Sequence, residues 1–171
     1  MGKQGKGGGD RGVGSHLLLL GIVLYVVSWF VPVVRGQEIF GGLGNIAGRF
    51  GSAPSALGAS GPDWLPGWTA CDFAWHLLIE AKTPGTGEEW KQRVVGSTCL
   101  TNLVMLVAIV CTLAKRRSVL LGLCVLLAAG VNASWLYLGD TNPFESYAAG
   151  YYLWLASFVL VGMGLLTSKQ T

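Results

Sequence analysis

Charge is what this sequence has least of. Asp, Glu, Lys and Arg make up 12% of its 171 residues, where a soluble domain carries about 25%. That deficit argues against an ordinary soluble domain. The formal charge of +3 forms no long basic patch, so nucleic acid is not an expected partner. Histidine is nearly absent, with only His16 and His76. They are expected on opposite sides of a membrane, which excludes a bis-His haem. None of the four cysteines forms a C-x-x-C pair. G-x-S-x-G, H-E-x-x-H and a phosphate loop are also missing. Gly42-x-Gly44-x-x-x-Gly48 has the wrong spacing for a dinucleotide fingerprint. No cofactor is implied.

What fills the space is hydrophobic residues, 51% of the chain. Val94–Ala114 and Ser118–Gly139 contain no charged residue, and Lys115-Arg116-Arg117 stands between them. A helix needs about 20 residues to cross a ~30 Å hydrocarbon core. Two such runs joined by a tight basic turn predict a transmembrane hairpin with its turn in the cytoplasm. His16–Val34 and Tyr147–Thr167 are two further uncharged runs. The predicted fold is all-α: a four-helix transmembrane bundle, spans at 16–34, 94–114, 118–138 and 147–167, with an amphipathic interfacial helix in a long outer loop. Residues 1–15 are expected as a flexible basic cytoplasmic tail, with no myristoylation site because position 6 is Lys. The first run has a signal-peptide-like basic flank, but its length and lack of an A-x-A site predict a retained anchor. Residues 139–146 are expected as a short outer loop, and 168–171 as a cytoplasmic tail.

The loop at 35–93 is rich in Gly and Pro turn signals. Inside it, residues 69–82 have helical spacing of Ala70, Phe73, Ala74, Leu77 and Leu78. Thr69 and Asp72 form a variant capping box. Trp64, Trp68 and Trp75 surround this stretch, which suits a helix lying in the interface or folded over the bundle.

With both termini inside, the inner side carries seven basic residues against Asp10, and the outer side five basic against eight acidic. Only that orientation obeys the positive-inside rule. It predicts an integral cell (plasma or inner) membrane protein with both termini cytoplasmic. It also places all seven Trp in the outer half or outer loop. Aromatic rings with a polar edge suit a half-wet site, so the outer half is where a partner or ligand is expected to bind. The same rings can instead serve only to seat the loop helix.

Three groups of residues are candidates for chemistry. Asn102 and Asn132 sit at similar depth, ~10 Å from the outer end of their spans. They can bond across the hairpin as helix glue, or line a polar path with Trp135, Tyr151 and Trp154. Asp72, His76 and Glu80 share one helix face. They can hold a divalent metal, or simply form the solvated side of an amphipathic helix. Cys71 and Cys99 lie on the outer side and can form a disulfide in an oxidising compartment. Cys111 and Cys124 read as packing residues.

The order of spans and loops resembles that of claudin-like proteins, without their Gly-Leu-Trp and paired-Cys pattern. Leu65-Pro66-Gly67-Trp68, Asn102 in a Leu-rich span before a basic turn, and Gly150-Tyr151-Tyr152-Leu153-Trp154 resemble a family of small uncharacterised bacterial four-span inner-membrane proteins. That resemblance implies no activity. Three functions remain open. The first is a non-enzymatic accessory or scaffold subunit presenting an aromatic outer face to the bilayer or a membrane-protein partner. The second is a small transporter or lipid-binding module. The third is a metal-dependent enzyme on the loop helix.

Overall fold

The computed structural model describes residues 10–35, 64–80, 89–138 and 147–168. Residues 1–9 of the tail expected at 1–15, residues 36–63 and 81–88 of the loop and helix expected within 35–93, the loop expected at 139–146 and residues 169–171 lie outside the described residues, while residues 10–15, expected in the flexible tail, begin the first helix. Helix dominates the rest: α1 (Asp10–Ser28), α2 (Gly67–Glu80), α3 (Glu89–Leu113), α4 (Val119–Ala133), the short α5 (Trp135–Leu138) and α6 (Ala149–Thr167). Two short strands, β1 (Pro32–Arg35) and β2 (Trp64–Pro66), complete the set.

Among the described residues, three stretches are long and apolar enough to cross a membrane: Gly96–Leu113 in α3, Val119–Tyr137 across α4 and α5, and Ala149–Thr167 in α6. The apolar part of α1, Gly12–Ser28, is shorter. α1 packs on α6, α6 also on α4, α4 on α3, and α3 on α2, the α1–α6 contact being the most extensive. One core runs through the long helices, with Leu18 and Tyr25 from α1, Met105 and Ala108 from α3, Val125 and Ala129 from α4, and Phe158, Val161 and Leu165 from α6. The α1–α6 contact is close because both helices put glycine there. A Cβ on Gly21 would lie 2.8 Å from Val161, and one on Gly164 would lie 2.8 Å from Leu18. Small residues let helix backbones approach in this way.

The first helix does not run to Val34, the end expected for a first span from composition. α1 stops at Ser28, where the last turn tightens through Trp29 N–H to Val26 O (3.3 Å) and Phe30 N–H to Val27 O (3.0 Å). The reason is Pro32. It has no N–H to continue a helix, and it drives Val31 toward extended backbone. Val33 and Val34 are β-branched and favour a strand. β1 pairs antiparallel with β2, Val34 opposite Leu65 and Arg35 opposite Trp64. The strands were not foreseen in an all-α reading because each is too short to show a period-2 pattern.

The basic turn has a definite geometry. Lys115 has φ 57°, its N–H donates to Thr112 O (3.0 Å), and the Arg116 N–H donates to Cys111 O (2.8 Å). These two bonds make a Schellman motif that closes α3. Glycine is the usual residue at that left-handed position, so lysine there costs ~1 kcal/mol or more of backbone strain. It retains a positive charge at the turn in exchange.

Polarity is distributed inside out. Thr98, Thr101, Asn102, Asn132 and Ser157 are buried, while Leu103, Leu106, Val107, Val110 and Leu113 of α3 are exposed. Val119–Tyr137 has a mean hydropathy of 2.1, yet only 28% of it is buried. α1 behaves alike, with Leu19, Leu20, Val23, Val26 and Val27 exposed. Apolar faces of this extent need a partner or a lipid solvent.

Candidate functional site

The buried polar groups converge at one end of the helices, beside β1, β2 and α2. Asn102 of α3 is the hub. Its Oδ1 accepts from the Tyr25 hydroxyl (3.2 Å) and from Trp154 Nε1–H (3.0 Å). Its Nδ2 meets the Cys71 sulfur at 3.6 Å, a weak acceptor. One amide thus joins α1, α2, α3 and α6. Asn132 makes a second node. Tyr151 donates its hydroxyl to the Asn132 carbonyl (2.8 Å), and Thr101 Oγ1 lies 2.8 Å from Asn132 Oδ1. The expected bond between Asn102 and Asn132 does not form. Thr101, the neighbour of Asn102 on α3, makes the link to α4 instead.

Thr101 Oγ1 also lies 2.6 Å from Thr98 O. A hydroxyl has one proton, so it serves one acceptor at a time. Asn132 Nδ2 is buried and in this arrangement has no partner among the described residues. Turning that amide end for end lets Nδ2 donate to Thr101 while Thr101 donates to Thr98.

Aromatic rings surround both nodes. Tyr25 meets Trp29 and Phe158 edge-on at 6.0 and 6.1 Å, and Trp154 meets Phe158 at 5.5 Å. Tyr147 stacks on Tyr151 at 4.4 Å, and donates its hydroxyl to Trp135 O (3.1 Å). Between these rings and α2 lies a half-open cavity of about 50 Å³. Trp29, Cys71, Asn102, Trp135, Tyr151 and Trp154 are among its walls. Trp135 Nε1 is buried without a hydrogen-bond partner among the described residues.

Of the residues singled out from sequence, Asn102, Trp135, Tyr151 and Trp154 meet at this cavity, and Asn132 does not line it. Tyr25, Trp29 and Tyr147 were missed. Tyr25 had a legible signal, since a lone Tyr inside an apolar span must satisfy its hydroxyl. Cys71 and Cys99 both line the cavity and are free thiols. Burial pushes the Cys71 thiol above its ordinary value, and the neighbouring Cys99 adds to this; the Asn102 amide opposes it, and Asp72 adds a smaller upward push.

On α2, His76 Nε2 and Asp72 Oδ1 are 3.9 Å apart, with side chains 42% and 70% exposed. Glu80 follows on the same helix, its side chain outside the described residues. Among the described residues no three His, Cys, Asp or Glu groups converge as a metal site would require. Adding zinc to the purified chain is expected to leave its unfolding temperature unchanged, and His76→Ala to shift stability by no more than ~0.5 kcal/mol. A zinc-dependent rise in unfolding temperature that His76→Ala removes would support the metal reading.

No protein-family model matches the chain, and no curated protein or solved structure matches it either.

Proposed function

We propose that the chain is a non-enzymatic accessory or scaffold subunit of the cell membrane. It crosses the bilayer four times as a helical bundle and presents its aromatic end, on the outer side, to a lipid or membrane-protein partner. The observation that carries this reading is the inverted polarity of the long helices, α1 included. Their polar side chains turn inward to an aromatic end, and their apolar side chains turn out. The strained Lys115 supports the orientation, because a charge kept at a glycine position suits a turn that must stay cytoplasmic. The half-buried α2, with Ala74 buried and Trp68, Trp75 and Ile79 exposed, suits a helix seated in the outer interface.

The cavity favours a second reading, a lipid-binding module at that same end. Its walls are apolar and aromatic, with polar points at Asn102 and Trp135, as in small-molecule sites.

Topology provides the test. Tags at both termini and one within 36–63 are probed on intact cells with an impermeant reagent. Only the loop tag is expected to react. Labelling of either terminal tag, or recovery of the protein as a water-soluble monomer, would overturn the proposal.

A further inference from the structure

We propose that the cavity receives the ester carbonyl and adjoining methylenes of a neutral lipid acyl chain. The inference rests on the lipid-binding reading and specifies its ligand.

Among the described residues, two side-chain donors at the site have hydrogen-bonding capacity left over. Asn102 Oδ1 is already occupied by Tyr25 and Trp154. Asn102 Nδ2 has only the Cys71 sulfur at 3.6 Å. Trp135, a cavity wall, keeps its indole N–H buried and unpartnered. Leaving such a donor unmet is costly, so the site calls for an acceptor. That acceptor is neutral, because among the described residues no Lys, Arg or His lines the cavity and a carboxylate would be buried there without a counter-charge. The remaining walls are mostly rings, small apolar groups and the thiols of Cys71 and Cys99, with the small hydroxyl residues Ser28 and Thr98 among them, a lining that favours hydrocarbon. Size sets the last limit. About 50 Å³ holds roughly three to five water-sized spheres at ~10–15 Å³ each. That is room for a carbonyl and a few methylenes, with the rest of the chain leaving through the open side.

A neutral carbonyl on an apolar body is also what a membrane quinone offers, so the test includes both. The full-length chain in mild detergent is photolabelled with a monoacylglycerol bearing a diazirine beside the ester, and the labelled peptides are identified by mass spectrometry. Competitors are unlabelled monoacylglycerol, the chain-matched fatty acid at pH 8, the chain-matched alkane and a short-chain benzoquinone. Label is expected on α2 around Ala70 and on α5 at Trp135. Monoacylglycerol is expected to compete about fivefold better than the alkane or the carboxylate, the worth of one net hydrogen bond. Trp135→Phe, which keeps a ring and removes the N–H, should reduce the ester to the level of the alkane. Ala70→Phe, which fills the cavity, should abolish labelling while the unfolding transition persists.

If Trp135→Phe does not fold, the ranking of competitors on the unaltered chain decides alone. Cavity labelling with ester and alkane equally effective sinks the carbonyl assignment and leaves an apolar site. Stronger competition by the quinone sinks the assignment to a lipid ester. Absence of label in the cavity removes the lipid-binding reading itself, while the topology assay remains a separate test of the membrane proposal.

Discussion

Asn102→Leu is expected to destabilise the folded chain in detergent by about 2 kcal/mol or more. The change preserves side-chain volume roughly and removes the acceptor shared by Tyr25 and Trp154. Two buried donors then lose their partner at once. Each unmet donor costs ~1–3 kcal/mol in a protein interior, giving a range of ~2–6 kcal/mol. Measured bonds between membrane helices average nearer ~0.6 kcal/mol, because the unfolded chain in lipid also finds partners. The low end of the range is therefore expected. Tyr25→Phe and Trp154→Phe each remove one donor and leave Asn102 with the other. Each should cost less, ~0.5–1.5 kcal/mol. In a Tyr25→Phe background, Asn102→Leu should also cost less than it does alone, since one of the orphaned donors is already gone. Thermal unfolding followed by loss of the monodisperse species measures all four. Equal losses for Asn102→Leu and Tyr25→Phe would show that the amide is not a hub.

Gly150→Ala tests the packing of α6 at the same end of the architecture. Gly150 is buried at the start of α6, and a Cβ there would sit 2.5 Å from Pro32 O and 2.7 Å from Val31 O. Both are backbone atoms of the segment that leads into β1, so no rotamer change relieves the clash. α6 and β1 are also tied by Ala148 N–H to Val33 O (2.9 Å). A single methyl group is expected to cost ~1–3 kcal/mol as overpacking. It should also loosen the aromatic end, because Tyr151 and Trp154 follow on the next turn of α6. Gly130→Ala is the matched control. Nothing lies within 4 Å of its Cβ position, and helix propensity alone favours alanine by up to ~1 kcal/mol. The two alanines should therefore move the unfolding temperature in opposite directions. Destabilisation by Gly130→Ala, or tolerance of Gly150→Ala, would contradict this account of α6.

Some of this was written locally in the chain. An uncharged run of about 20 residues is legible wherever it occurs, because a bilayer demands nothing more of a helix than length and apolarity. That is why α3, α4 with α5, and α6 followed from composition. The turn at Lys115-Arg116-Arg117 was legible for a similar reason, since three charges interrupt the apolar runs on either side. The end of α1 was less so. Pro32 was visible, but its consequence, a strand, depends on Leu65 arriving opposite Val34, and residues 36–63 separate the two.

The polar interior shows the division most clearly. The sequence by itself determined that Asn102 and Asn132 lie at similar depth, since depth follows from 1.5 Å per residue along a helix. Rotation about each helix axis decides partners, and packing sets that rotation. Only the tertiary structure turned Asn102 toward Tyr25 and Trp154, gave Asn132 to Thr101 and Tyr151, and left the Trp135 N–H without a partner beside an aromatic cavity. Depth belongs to one helix at a time. A hydrogen bond belongs to two, and the cavity to five helices and a strand.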